Sequence, residues 1–395
     1  MTEPTTPPLR VALLCHYPDD DVAPAGGVWS VGRNLAAGLV SAGAEVHVVR
    51  YKAASDGAAR VHVRGVSPLI VHTVELPRRR TQPFRRVDAV PALVARLREI
   101  RPDAVTAHES EYGLAAVRSG LPAAVTIHGM PRQEFRAFRW QNRLDLAVTL
   151  WQDWQMVRRA QDIVAINDYA IGQYRGRTNA RFHRINIPIG EVFFTAPPRE
   201  PDPHSVLMVE GMNERKDPIT MIRAIAQVRQ RIPDARLDIA GRLPAGPYGE
   251  KVRETIAELA LDDCVTFIGL VDQPELAGLY ASHAALALSS RQETSPCVIA
   301  EAMAGRRPVV ATDVGGVREM VSEDESGYVV PAGDPQTLAE RIAAVLNDSL
   351  LARRFGEHGR WLAEQRYRRN VIGRQYVELL EGLARKNTLD TPAGK

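Results

Sequence analysis

The chain has 395 residues, 45% of them hydrophobic, 25% charged and 6% aromatic, a length and composition that call for two or three domains with substantial cores. Fifty basic side chains against 47 acidic ones leave a formal net charge of +3, far short of the excess with which proteins displace counterions from nucleic acid, so nucleic acid is excluded as a partner. Three cysteines, Cys15, Cys264 and Cys297, stand far apart without zinc-ligand spacing, which excludes a disulfide framework and a structural zinc site. Residues 1–8 are polar and Pro-rich and no run reaches the ~20 apolar residues of a membrane span, so the expectation is a cytoplasmic protein with membrane association disfavoured.

From residue 9 onward, short Val-, Ile- and Ala-rich runs alternate with helical periodicity, the pattern of parallel strands joined by crossover helices. A strand at 9–14 leads through Gly26 and Gly27 into a helix carrying Val31, Leu35, Leu39 and Val40, closed by Gly43, and then into a strand at 45–49. Further strands are predicted at 104–106, 123–127 and 163–166, each apolar throughout as a strand buried on both faces is. The segment 196–204, APPREPDPH, packs four prolines among polar residues and reads as an interdomain linker. The pattern then restarts with a strand at 206–209, a helix at 218–231 and strands at 237–240, 265–268, 285–288, 309–311 and 328–330. Asp334 and Pro335 start a helix toward Asn347. Helical sequence over 351–383 breaks near 366–370, and the last helix, 371–383, is expected to leave the second domain for the first. The fold expected is α/β, with domains over 9–195 (plus 371–395) and 205–370.

The stretch 289–316, SSRQETSPCVIAEAMAGRRPVVATDVGG, carries the most chemistry. A strand ends at Leu288, Ser295 is placed to cap the next helix, Pro296 suits its first turn and Gly305 its stop. Ligands of open parallel sheets bind beyond the carboxyl ends of the strands, where helix N-termini favour anions. Glu293 before the helix and Glu301 inside it are spaced to hold different parts of one extended ligand, and carboxylates accept from sugar and ribose hydroxyls. An E-x7-E spacing on its own is more often a solvated loop acid and a surface helix acid. Lys216 immediately precedes Asp217 and Pro218, so its ammonium and a helix N-terminus converge on one anion site, although an isolated surface Lys is usually only solvated. Gly26 and Gly27 permit close approach of backbone to a phosphate at a helix start.

The run E-T-S-P-x4-E-A-M-A-G, followed by P-V-V-A-T and D-V-G-G, resembles the donor-site signature of the family 4 retaining glycosyltransferases, which have the GT-B fold. The resemblance continues through Gly26-Gly27, Thr126-Ile127-His128-Gly129, Arg215-Lys216-Asp217-Pro218, Ser326-Gly327 with Val330-Pro331, and the closing helix. It implies two Rossmann-like domains facing each other across a cleft, with the C-terminal helix packing back on the first. It also implies a metal-independent, retaining transfer of a sugar from a nucleotide-diphosphate sugar, which is a co-substrate; no cofactor is expected. By the same resemblance Glu301 holds the ribose hydroxyls, Glu293 with Thr294, Ser295, Pro296, Cys297 and Val298 holds the sugar and diphosphate, and Lys216 neutralises the diphosphate. It also places His128 near the transferred sugar and acceptor; His108 and Glu109, at the end of another strand, are expected to line the acceptor side from that position.

Two positions depart from the family pattern. Gly211 stands where an Arg is usual five residues before the Lys, leaving Arg215 or Arg242 to supply the missing cation, and Pro188-Ile189-Gly190 replaces the usual Pro-Asn-Gly. A dinucleotide-dependent oxidoreductase is excluded because neither domain opens with GxGxxG. A non-catalytic sugar-nucleotide-binding protein and a membrane-lipid or cell-envelope glycosyltransferase are the alternatives to transfer onto a small soluble acceptor, of the kind met in natural-product biosynthesis, from a UDP-sugar or, second, a GDP-sugar. The Arg-rich stretches at 78–80, 85–86 and 132–143 are expected to form a solvated face, with an anionic-membrane contact or a site for an anionic acceptor as the alternatives. Trp140, Trp151 and Trp154 fall in a helical stretch and are expected in the core.

Overall fold

The computed structural model describes residues 7–19, 27–54, 60–77, 82–133, 143–209, 211, 213–243 and 245–390. The chain divides into two compact units, 1–188 with 369–395 and 189–368.

The first unit runs β1 (Arg10–Leu14), α1 (Gly27–Ser41), β2 (Glu45–Ala53), β3 (Arg60–Val66), β4 (Leu69–Leu76), α2 (Gln82–Ile100), β5 (Ala104–His108), α3 (Ser110–Ser119), β6 (Ala123–Ile127), α4 (Arg143–Arg159), β7 (Asp162–Ala165), α5 (Asp168–Tyr174) and β8 (Arg181–Arg184). The strands form one sheet in the order β3-β4-β2-β1-β5-β6-β7-β8, parallel except for the β3–β4 pair. Strand alternation sends Val11 and Leu13 of β1 to one face with Leu35 and Leu39 of α1, and Ala12 and Leu14 to the other with Leu93 and Leu97 of α2.

The β3–β4 hairpin has no counterpart in the sequence reading, because half of the buried positions of β4 are polar. His72, Thr73 and Glu75 on β4 are all buried, and each finds a partner. Arg50 Nε donates to Thr73 Oγ1 at 2.9 Å, and Lys52 pairs with Glu75 at 3.3 Å. His72 Nε2 lies 2.9 Å from His47 Nδ1, whose Nε2 lies 2.9 Å from Glu45 Oε1. Burial, helped by the Arg96 guanidinium, pushes the His72 imidazole down to about 4.

The second unit runs α6 (Val192–Thr195), β9 (Asp202–Val209), α7 (Pro218–Arg229), β10 (Arg236–Ala240), α8 (Pro247–Glu258), β11 (Val265–Phe267), α9 (Gln273–Ser282), β12 (His283–Leu288), α10 (Cys297–Ala304), β13 (Val309–Thr312), α11 (Val317–Met320), β14 (Gly327–Val330), α12 (Pro335–Asn347) and α13 (Ser349–Arg366). Its sheet is wholly parallel, in the order β11-β10-β9-β12-β13-β14. Asp334 caps α12 as expected, accepting from the amides of Gln336 at 3.1 Å and Thr337 at 3.0 Å.

The Pro-rich segment 196–204 is not where the units part. Residues 189–196 already belong to the second unit, because Phe193 and Phe194 are buried there. Phe193 packs edge-on against Tyr280, and Arg360 lies over the Phe194 ring while donating to the Phe194 carbonyl at 3.0 Å.

The last helix, α14 (Arg369–Asp390), returns to the first unit. There Ile372, Tyr376, Leu380 and Leu383 join the core that α1 covers, and the Tyr376 hydroxyl meets Thr126 Oγ1 at 2.8 Å. Gly38 and Gly373 permit the crossing: a Cβ on Gly38 would lie 2.2 Å from the Arg369 carbonyl oxygen, and one on Gly373 2.1 Å from that of Gly38.

Candidate active site

In the second unit the loop after β9 and the loop after β12 are stitched together. Asn213 Oδ1 accepts from the amides of Arg215 at 3.0 Å and Lys216 at 3.2 Å, a side-chain turn that fixes both cations. Ser289, fully buried, donates to the Asp217 carbonyl at 2.8 Å, and the Arg291 amide donates to the Arg215 carbonyl at 2.7 Å. Asp217 sits at the N-terminus of α7 with φ of 47°, a left-handed conformation that costs a non-glycine residue energy and is met at functional sites. Its carboxylate does not cap the helix amides. It accepts instead from Thr220 Oγ1 at 2.7 Å and from Arg291 Nε at 2.8 Å.

These loops bring three predicted residues into contact. Lys216 Nζ lies 2.5 Å from Glu293 Oε1, Ser290 Oγ donates to the same oxygen at 2.7 Å, and Arg215 Nη1 approaches Glu293 Oε2 at 3.5 Å while donating to the Gln292 carbonyl at 3.0 Å. Glu293 is buried, at 5% exposure. One carboxylate between an ammonium and a guanidinium leaves the group net positive, and Arg carries five N–H donors, more than one carboxylate can use.

Ser295 does not cap α10. The cap position falls to Pro296, which has no side-chain donor or acceptor, and Ser295 Oγ turns to the Met320 sulfur at 3.5 Å. The first turn of α10 is therefore without a side-chain cap from Pro296, and the preceding Thr294 carbonyl accepts from the Gly316 amide at 3.2 Å. Glu301, inside α10, is buried and accepts from the Tyr280 hydroxyl at 3.1 Å. Burial pushes its carboxyl up to about 7, although the Tyr280 hydrogen bond pulls the other way. Burial, reinforced by the Glu301 charge, likewise raises the Cys297 thiol, which keeps it protonated and unreactive. Gly211 has open space where a side chain would start. Arg242 follows β10, exposed and without a hydrogen bond or ion pair among the described residues.

In the first unit the predicted residues lie at the carboxyl ends of β5 and β6. His108, last in β5, is 1% exposed, so it stands behind His128 instead of lining an acceptor surface. Its Nδ1 lies 2.5 Å from His128 Nε2, with ring planes 22° apart, so the imidazoles meet edge to edge through one hydrogen bond. The other nitrogen of His108, Nε2, is buried without a partner. Burial pushes His128 down to about 4 against the opposing charge of Glu109, and burial with the neighbouring His128 lowers His108 further. Both rings are neutral at physiological pH.

Glu109 starts α3 with φ 74° and ψ 165°, a region almost reserved for glycine. Its carboxylate pairs with His16 Nε2 at 3.0 Å. His16 stacks on Trp29, with ring centroids 5.2 Å apart. Burial disfavours its charge, but the hydrogen bond and charge of Glu109, with Glu111 behind, raise it above the ordinary His value. Glu111, fully buried, accepts from the Tyr51 hydroxyl at 2.9 Å and lies 3.6 Å from Arg86 Nη1. His16, Glu109 and Glu111 offer ligand atoms within 4.8 Å of one another, yet the group is internally paired, with Tyr51, Arg86 and His16 answering the two carboxylates. Arg86 thus belongs to a built network, not to a solvated face. Gly27 opens α1; Gly26, Trp140 and Arg78 to Arg80 lie outside the described residues. Sequence reasoning missed Asn213, Tyr280, Tyr51, Glu111 and Arg86, which act through contacts between distant segments that no local motif encodes.

The comparison with known proteins agrees with this architecture. A family model described as a glycosyl transferase 4-like domain matches residues 26–190, and one described as glycosyl transferases group 1 matches 191–361. The chain is 28% identical to alpha-D-kanosaminyltransferase of Streptomyces kanamyceticus over 65% of its length and 69% of the relative's. It is 26% identical to the D-inositol 3-phosphate glycosyltransferase of Pseudarthrobacter chlorophenolicus over 86% of its length and 87% of the relative's. Among solved structures, sucrose-phosphate synthase from Thermosynechococcus elongatus superposes with a TM-score of 0.77 at 22% identity, covering 96% of this chain and 100% of that one. Anabaena HepE, crystallised with UDP-glucose, gives 0.69 at 19% identity over 95% and 100%. The two matched regions meet at the boundary between the units, and together with the shared architecture they establish that this chain belongs to the family 4 glycosyltransferases of the GT-B fold.

Proposed function

We propose that the protein transfers a sugar from a nucleotide-diphosphate sugar, a UDP-sugar first and a GDP-sugar second, to a small soluble acceptor of natural-product type, with retention of the anomeric configuration and without a metal. The observation that carries this reading is the Lys216–Arg215–Glu293 group, net positive and backed by Ser290 and Asn213, beside the first amides of α10. A diphosphate leaving group needs cations and fixed N–H dipoles that act as its charge develops, and this group has both. Glu293 accepts from sugar hydroxyls, Glu301 from the ribose, and neutral His128 stands beside the sugar without adding positive charge to an oxocarbenium-like transition state. Glu293 is a positioning carboxylate and forms no covalent intermediate. Anabaena HepE, a structure of the same fold, has been crystallised with UDP-glucose, which favours the uridine nucleotide here. Arg215 takes the place of the Arg that Gly211 lacks.

The test is incubation with UDP- and GDP-sugars in the presence of EDTA, following nucleoside diphosphate release, and the anomeric proton coupling of the product by NMR. A retained configuration and EDTA-insensitive turnover are expected. An inverted product refutes retention, activity lost to EDTA refutes metal independence, and binding without transfer or hydrolysis identifies a silent sugar-nucleotide-binding protein. A membrane-borne acceptor is a second reading, favoured by the exposed tryptophans of α4.

A further inference from the structure

The Trp-bearing helix does not do what its sequence leads one to expect. Trp151 and Trp154 of α4 are 43% and 44% exposed, and Leu144 on the same helix is 70% exposed. Ala147 and Arg158 are exposed as well. At 100° per residue, positions 144, 147, 151, 154 and 158 fall within an arc of about 80° and run along roughly 21 Å of helix. The opposite side, with Gln152, Asp153, Met156 and Val157, is buried. The solvent face of α4 is therefore an apolar, aromatic stripe that ends in a cation.

That end opens on a cavity of about 850 Å3 lined by five guanidiniums, those of Arg132, Arg158, Arg159, Arg177 and Arg181, against one carboxylate, Asp153. Asp153 accepts from the Tyr174 hydroxyl at 3.0 Å. Arg181 is held by Asp162 at 2.8 Å, Arg159 bonds the Gln155 carbonyl, and Arg158 lies over the Trp154 ring at 5.0 Å. The Arg132 and Arg177 side chains make no hydrogen bond or ion pair among the described residues, although the charge of each acts on the Asp153 carboxylate. The last turn of a helix attracts cations to its carbonyls, which accounts for Arg158 and Arg159. It does not account for Arg132, Arg177 and Arg181, which come from other segments.

We propose that this face, the Leu144–Trp151–Trp154 stripe with its arginine cavity, docks the protein on an anionic phospholipid surface, the indoles entering the interfacial layer and the guanidiniums taking lipid phosphates. Tryptophan is the side chain most at home at a bilayer interface, and apolar insertion combined with cations is how a surface helix holds to acidic lipid without crossing it. No helix among the described residues is long and apolar enough to span a membrane, so the contact is peripheral. The inference stands on this surface alone and holds whatever sugar or acceptor the enzyme uses.

Flotation of the full-length protein with vesicles of phosphatidylcholine alone, or with one third phosphatidylglycerol, tests it. Recovery with lipid is expected only for the anionic vesicles and is expected to fall with added salt. The R158Q/R177Q variant should bind about thirtyfold more weakly, the equivalent of about 1 kcal/mol for each of two guanidiniums near the surface. W151Q/W154Q should lose the quenching of tryptophan fluorescence by brominated lipid. Circular dichroism and UDP binding report whether the variants are folded. Protein that stays out of the lipid fraction at low salt overturns the proposal, as does binding that both folded variants retain. A dimer seen by light scattering that W151Q/W154Q dissociates, without lipid recovery, overturns it in favour of a contact between two copies.

Discussion

Removing Lys216 separates a structural ion pair from a role in transfer. Its ammonium and the buried Glu293 carboxylate are in direct contact, with Arg215 1.0 Å further from the same carboxylate than Lys216 is, at 3.5 Å against 2.5 Å. Truncating one member of a buried pair costs about 3–5 kcal/mol when nothing else answers the charge. Here Arg215 and the Ser290 hydroxyl remain, so Lys216→Met is expected near the lower end, about 3 kcal/mol, read as a shift of the denaturant midpoint. The double variant K216M/E293Q removes both charges and should recover most of that stability. Turnover should behave differently. If Lys216 stabilises the departing diphosphate, both variants lose about a hundredfold or more in kcat/KM, because a single preorganised donor at a developing charge is worth about that much. Single-turnover kinetics on stable, folded K216M/E293Q, set against E293Q alone, decide the matter. Recovery of activity together with stability would refute the leaving-group role and leave Lys216 as packing for Glu293.

On the proposed reading, Glu301 links nucleotide binding to pH. Its carboxyl sits at about 7 in the folded protein against about 4.3 unfolded, so between those values the folded state binds the extra proton and stability falls as pH rises. Glu301→Gln should therefore be more stable than the parent at pH 8, by up to about 3 kcal/mol, and indistinguishable at pH 4.5; the same Tm at pH 8 would show that the acid is not buried in solution. Hydroxyl donors from a ribose favour the ionised form, so UDP binding near pH 6.5 should release a proton in calorimetry across buffers of different ionisation enthalpy, and no release refutes the ribose contact. His128 should hold its proton on Nδ1: a buried N–H without an acceptor is rare, so His108, whose Nε2 is buried and unpartnered, donates from Nδ1 to His128 Nε2. Long-range 15N–1H NMR that finds the His128 proton on Nε2 contradicts this. Gly211→Arg enters open space and should change stability by less than about 0.5 kcal/mol while tightening donor binding about tenfold through one charged hydrogen bond; weaker binding would mean that Arg215 already occupies the phosphate position.

The parts of this molecule that could be read in advance are those where burial on both faces of a parallel strand leaves an uninterrupted apolar run, as at 309–311 and 285–288, and those where a local motif marks a helix start, as at Asp334. What escaped was governed by pairing across distance. The hairpin of β3 and β4 hides because His72, Thr73 and Glu75 take the positions that apolar residues usually mark, and their partners stand on β2 and α2. Trp151 and Trp154 look like core residues by type alone, and only the packing of Met156 and Val157 on the other side of the helix shows which face is turned outward.

The site was legible as a set of residue types and not as an arrangement. Lys216 and Glu293, 77 positions apart, each suggest a ligand contact. What the sequence withholds is that they hold each other, and this changes the energetics of binding. On the proposed reading, a donor does not meet a bare ammonium whose desolvation it must offset in full. The diphosphate takes over the ammonium while sugar hydroxyls donate to the carboxylate that is released, so each half of the donor replaces a partner that the empty site already supplies. A nucleotide without its sugar answers only the cation and leaves Glu293 with Arg215 and Ser290. Glu293→Gln, which frees Lys216 of its counter-charge, is therefore expected to bind UDP more tightly than the parent and UDP-glucose more weakly. Titration of the two ligands in parallel measures that crossing, and parallel shifts of both affinities in the same direction would show that the pair does not exchange partners on binding.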